Sequence, residues 1–103
     1  MSVTQTDIDF VYEIFAPLGD LTHRKMMGGL TLYHQGQVFA ILSADTTLYL
    51  KAKGAFADKM AAAGAVKFST ENGRTMGYWT LPSEALDDLE IATDWAQQAL
   101  AAL

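Results

Sequence analysis

Two histidines, His23 and His34, are the side chains that ordinarily titrate near neutral pH, and neither sits in a metal-ligand spacing such as H-E-x-x-H or H-x-x-x-H. No metal or other cofactor is expected. The chain has no cysteine, which removes thiol nucleophiles, disulfides and thiolate zinc sites, and fits a reducing, cytoplasmic setting. No serine lies in a G-x-S-x-G turn, no Ser-x-x-Lys occurs and no glycine-rich loop ends in Gly-Lys-Ser or Gly-Lys-Thr. Nucleophilic catalysis and nucleotide hydrolysis therefore have no carrier. Asp87, Asp88 and Glu90 have the composition of general acids and bases, but they stand where a helix is predicted to begin, and negative charge is favoured there by the unpaired amide groups. These residues predict a protein that is not an enzyme.

The run Arg24, Lys25, Met26, Met27, Gly28, Gly29 is the least ordinary part of the chain. Two cations, two flexible thioethers and a glycine pair directly precede a predicted strand. One reading is an adaptable contact surface, because methionines repack readily and Gly-Gly permits close backbone approach. The other is a glycine bulge with buried methionines. Lys51, Lys53, Lys67 and Arg74, if they share a sheet face with Tyr49, Tyr78 or Trp79, have the composition of a surface on which single-stranded bases stack. Lysines on edge strands also serve simply to prevent edge-to-edge pairing.

Charge is unevenly distributed. The net charge is −5, which opposes nonspecific nucleic-acid binding, yet all seven Lys and Arg residues fall between positions 24 and 74, where only Asp45, Asp58 and Glu71 are acidic. The middle is net positive and both ends are acidic.

The elements that position these residues follow from periodicity. Residues 7–16 read as a helix, with Ile8, Val11, Tyr12 and Phe15 on one face, Thr6 as N-cap and Pro17 with Gly19 at its end. Residues 22–52 change to a strand period, clearest over 30–33, 38–42 and 48–51, with short polar turns at 34–37 and 43–46, and so predict an antiparallel meander. Alternation puts Leu48 and Leu50 on one face and Tyr49 and Lys51 on the other. A short helix over 55–63 is stopped by Gly64. Residues 66–70 and 75–80 flank Asn72-Gly73, the signature of a type I′ hairpin turn, which sets Glu71 opposite Arg74. A last helix is predicted from Asp87, with Glu90 completing a capping box, Leu86 stapling against Ile91, and Ile91, Ala92, Trp95, Ala96, Ala99 and Leu103 forming an apolar stripe.

The fold class is therefore α+β: an antiparallel sheet of about five strands, a meander plus a hairpin, packed with N-terminal, middle and C-terminal helices. At 103 residues with half of them hydrophobic, one domain over 1–103 is expected. The longest apolar runs are far short of the roughly 20 residues of a membrane-spanning helix, so no membrane partner is expected.

Leu18-Gly19, the 24–29 run, Leu32-Tyr33, Gly36, Phe39-Ala40, residues 48–51, Phe68, residues 78–82 (Tyr-Trp-Thr-Leu-Pro) and the closing alanine-rich helix occur in an order that resembles the N-terminal domain of the TfoX (Sxy) family of competence regulators. The resemblance covers nearly the whole chain. It implies an antiparallel α+β domain that helps regulate genes for DNA uptake by acting with other transcription factors, and it brings no catalytic residues. The expected interaction surface is Arg24, Lys25, Met26, Met27, Gly28, Gly29, Tyr49 and Lys51. The expected partner is a protein of the transcription machinery or a regulator; direct nucleic-acid binding through the basic 24–74 region, a homodimer, and a small-molecule pocket or unrecognised enzyme lined by Tyr49, Tyr78 or Trp79 are the alternatives.

Overall fold

The computed structural model describes residues 4–26, 28–44, 47–69 and 75–103. Helix α1 (Gln5–Ile14) is followed by a 3-10 turn (Ala16–Leu18), then by β1 (Leu21–Met26), β2 (Gly29–His34), β3 (Gln37–Leu42) and β4 (Leu48–Lys51). Helix α2 (Gly54–Ala62), β5 (Lys67–Ser69), β6 (Thr75–Thr80), a second 3-10 turn (Ser83–Leu86) and α3 (Leu89–Ala101) complete the chain. All neighbouring strands run antiparallel, in the order β1-β2-β3-β4-β6-β5. The α+β class, the meander and the three helices stand as the sequence predicts. The sheet has six strands because β1, whose Thr-His-Arg-Lys composition carries no apolar alternation, pairs along its whole length with β2.

The end of α1 is set two residues earlier than its periodicity suggests. Thr4, not Thr6, is the N-cap: its hydroxyl accepts from the Asp7 amide at 3.3 Å, and the Asp7 carboxylate accepts from the Thr4 amide at 2.8 Å. This reciprocal box satisfies two otherwise unpaired N–H groups. A cap at Thr6 would need Asp9 as its reciprocal partner, and Asp9 instead accepts from the Gln5 side chain at 2.9 Å.

Helix α3 begins one residue later than expected. Asp88 is its N-cap, accepting from the amides of Glu90 at 2.9 Å and Ile91 at 3.4 Å, while Asp87 closes the preceding 3-10 turn. Leu86 belongs to that turn and is 40% exposed, which leaves the expected staple without a buried clamp. Helix α2 starts at Gly54 and is ended by Gly64, whose φ of +90° turns the chain back so that the Ala65 amide reaches the Met60 carbonyl at 3.0 Å.

The core lies on one face of the sheet. Leu30, Leu32, Phe39, Ala40, Leu42, Leu48 and Leu50 pack against Ile8, Val11, Ile14 and Phe15 from the N-terminal segment and against Ala92, Trp95, Ala96 and Ala99 of α3. Phe15 meets Phe39 edge-on at 5.3 Å, and α2 joins through Phe56, 5.9 Å from Trp95. The alanines let α3 approach the sheet closely, which long side chains at those positions would prevent.

The β2–β3 turn is the predicted short one. Gln35 and Gly36 occupy it with φ of +51° and +80°, the type I′ pattern that suits the right-handed twist of paired strands. The predicted Asn72-Gly73 turn and the Glu71–Arg74 pair lie outside the described residues, as do positions 45 and 46 of the predicted 43–46 turn.

Replacing Thr4 or Asp88 by Ala is expected to lower stability by about 1 kcal/mol each in urea denaturation, while Thr6→Ala shifts it by less than about 0.5 kcal/mol. Gly29→Ala is expected to cost about 1–3 kcal/mol in the same measurement, because its Cβ would fall 2.5 Å from the Leu42 carbonyl oxygen, a backbone atom that cannot swing aside.

Candidate interaction surface

The period of two along each strand leaves the second face of the sheet without a helical layer. Strand register aligns one row across it: Arg24 opposite Thr31, Thr31 opposite Ile41, Ile41 opposite Tyr49, and Tyr49 opposite Thr80. A second row carries Thr22 opposite Tyr33 and Tyr33 opposite Val38, and Lys51 stands opposite Tyr78. Thr31, Ile41 and Tyr78 are at most 9% exposed although no helix among the described residues lies over them. The result is an apolar centre bounded by tyrosines, with a cation on β1 and another on β4.

These positions divide the residues predicted for an interaction surface. Arg24, Tyr49 and Lys51 come together on the uncovered face, with Arg24 three strand spacings, roughly 14 Å, from Tyr49. Lys25 points to the opposite face, since it pairs with the core residue Leu30. Gly28 forms part of the tight β1–β2 connection with φ of +83°. Gly29 is buried and serves close packing of β2 against the end of β3. The Met26 backbone pairs with Gly29, so the strands meet without a bulge there; Met27 lies outside the described residues.

The proposed stacking set divides in the same way. Tyr78 and Lys51 share the uncovered face with Tyr49, whereas Trp79 and Lys67 lie on the helical side, the Lys67 ammonium 5.6 Å from the Trp79 ring centre. Lys53 is the residue preceding α2, and Arg74 lies outside the described residues. A pocket between sheet and helices lined by Tyr49 and Tyr78 does not form, because both stand on the other side of the sheet. Tyr33 is part-exposed on this face and Thr31 and Ile41 are buried beneath it, although the sequence did not single them out; their signal was the alternation of β2 and β3, read only for its core half.

Electrostatically the two layers are opposites. Asp7, Asp9 and Glu13 sit on α1, Asp58 on α2, and Glu84, Asp87, Asp88, Glu90 and Asp94 along the second 3-10 turn and α3. Among the described residues the uncovered face carries Arg24 and Lys51 and no carboxylate, and neither cation has an ion-pair partner. At the β1 edge a hollow of about 470 Å³ is lined by Thr22, His23, Arg24, Tyr33 and Gly36. His23 is anchored by a 2.7 Å hydrogen bond between its Nδ1 and the Tyr12 hydroxyl, and His34, rather than being a solvated turn residue, donates from Nδ1 to the Gly19 carbonyl at 2.9 Å. Both histidines thus brace the N-terminal segment against the sheet. Among the described residues no group of three or more His, Cys, Asp or Glu is placed to hold a metal ion, and no helix is long and apolar enough to cross a membrane.

Burial raises the pKa of Tyr78 above the ordinary tyrosine value, and the nearby Tyr33 adds to the rise. The folded state therefore favours the neutral phenol: stability is complete below the unfolded tyrosine pKa of about 10 and falls as pH rises through the folded value. In an ultraviolet titration, Tyr78→Phe is expected to remove a step that ionises above the ordinary tyrosine value.

The family model of the TfoX N-terminal domain matches residues 13–103. No curated protein matches this chain. The matched span runs from the end of α1 through α3 and includes every strand of the sheet, so the chain belongs to the TfoX N-terminal domain family.

Proposed function

We propose that this chain is a non-enzymatic regulatory domain that acts in the cytoplasm by binding a protein of the transcription machinery, within the control of competence-type genes. The observation that carries this reading is the sheet face away from α1 and α3, where the part-exposed Tyr33 and Tyr49 flank a buried centre and Arg24 and Lys51 stand without carboxylate partners among the described residues. Tyrosine and arginine are the residue types that concentrate binding energy in protein interfaces, because they bury large rigid surfaces and still satisfy a polar end. The family supports a regulatory role, and its competence link is the ground for proposing that class of genes.

Direct nucleic-acid binding uses the same face less well. Two cations neutralise few phosphates, and the net charge of −5 repels a polyanion as it approaches. A protein partner needs only local charge complementarity.

Affinity capture from native extract tests the reading, with wild type compared with Tyr49→Ala, Lys51→Ala and with a nuclease-treated control. A transcription protein retained after nuclease and reduced at least about tenfold by the double variant is the expected result. Capture of nuclease-sensitive material alone, or of no protein, would overturn it.

A further inference from the structure

The strand that carries Arg24 and Lys25 is the outer edge of the sheet, with β2 as its one neighbour. Proteins blunt such edges by making them short, by bulges, by proline or by charge, since unpaired N–H and C=O groups otherwise recruit another strand. The edge strand β5 at the far side is three residues long and its pairing is irregular. Strand β1 has neither safeguard: six residues, no proline, and unbroken register with β2 from Leu21 to Met26. Its one remaining protection is charge.

That charge has a particular arrangement. Thr22, His23, Arg24 and Lys25 are all exposed, and Arg24 and Lys25, being consecutive, project to opposite faces of the sheet. Neither has an ion-pair partner among the described residues. A ligand lying on one face can reach one of these cations. An added strand reaches both, because its own consecutive side chains alternate in the same way.

We infer that β1 is a docking edge for an extended acidic segment of the protein partner, which joins the sheet as a further strand with adjacent carboxylates beside Arg24 and Lys25. This inference rests on the interaction-module reading and names the chemistry of the partner. A second copy of the chain is a poorer occupant, since antiparallel pairing of β1 with itself along its full length would gather four Lys and Arg side chains at the joint and bring no carboxylate to them. A nucleic-acid strand supplies negative charge but no peptide groups to pair with the edge. An acidic peptide strand supplies both, with main-chain hydrogen bonds giving affinity and side chains giving selectivity.

The test uses the full chain and three synthetic probes: the peptide Thr-Val-Glu-Glu-Val-Thr, its Lys-Lys counterpart, and the acidic peptide with methylated backbone nitrogens. The acidic peptide is expected to bind and to protect β1 amides from hydrogen exchange. Backbone methylation should abolish binding. Arg24→Glu, Lys25→Glu should weaken the acidic peptide by about tenfold or more and create binding of the Lys-Lys peptide, a gain that a misfolded variant cannot show. No binding of the acidic peptide by about 1 mM, equal binding of the methylated probe, or displacement by a single-stranded oligonucleotide that binds more tightly would overturn the proposal. If a captured transcription protein survives the double charge reversal but not Tyr49→Ala, Lys51→Ala, the module reading stands and the edge proposal falls; absence of any protein partner defeats the module reading itself.

Discussion

One row of side chains crosses every strand on the helical side of the sheet: His23, Leu32, Ala40, Leu50, Trp79 and Lys67 stand successively opposite one another. Its three central members, Leu32, Ala40 and Leu50, are essentially removed from solvent. Truncating a buried leucine at such a position costs roughly 2–5 kcal/mol, so a shift of register that moved this row to the other face would forfeit most of the domain's stability. The two polar ends are held by specific contacts, His23 by the Tyr12 hydroxyl and Lys67 by the Trp79 ring. Everything on the opposite face inherits its position from this row.

The core is closed from one side by α3, and the alanines of that helix are as important as its aromatic residue. Ala92, Ala96 and Ala99 are fully buried, while Trp95 spans toward α2, meeting Phe56 and lying beneath the Lys59 ammonium at 5.6 Å. Lys59 also donates to the Gln98 side chain, joining α2 to α3 outside the core. The Thr93 hydroxyl is buried without a hydrogen-bond partner among the described residues, a local cost to stability. A single helical layer therefore suffices for the fold, and the second face of the sheet is left to be finished by its own tyrosines.

This arrangement separates charge without any long-range design in the sequence. Acids gather on the helices, where four of them perform capping or side-chain bonds: Asp7 and Asp88 at helix starts, Asp9 with Gln5 and Asp94 with Gln98. Cations are excluded from the buried part of that row: Arg24 and Lys51 alternate away from it, Lys67 stands at its end, and Lys59 lies on the outside of α2. A layered fold with one core thus converts a mixed sequence into an acidic layer and a tyrosine-rich face bearing cations, which is the physical basis for proposing that the sheet binds the partner.

The sequence by itself determined the local elements. Apolar spacing gave α1, α2 and α3 to within a residue or two, alternation placed Leu48 and Leu50 opposite Tyr49 and Lys51, and Gly64 marked the end of α2, because these features depend on neighbours a few residues apart. Cap identity was less legible: Thr4 and Thr6 are equivalent in composition, and the choice turns on which carboxylate closes the box. Only the tertiary structure decided that β6 inserts beside β4, since hairpins fix adjacent strands and not how two hairpin units join. That insertion is what sets Lys51 opposite Tyr78 and extends the Arg24 row to Thr80. The tertiary structure also decided which of Arg24 and Lys25 faces the helices and assigned Gly29 to packing against Leu42, because these depend on paired strands whose residues are distant in the chain.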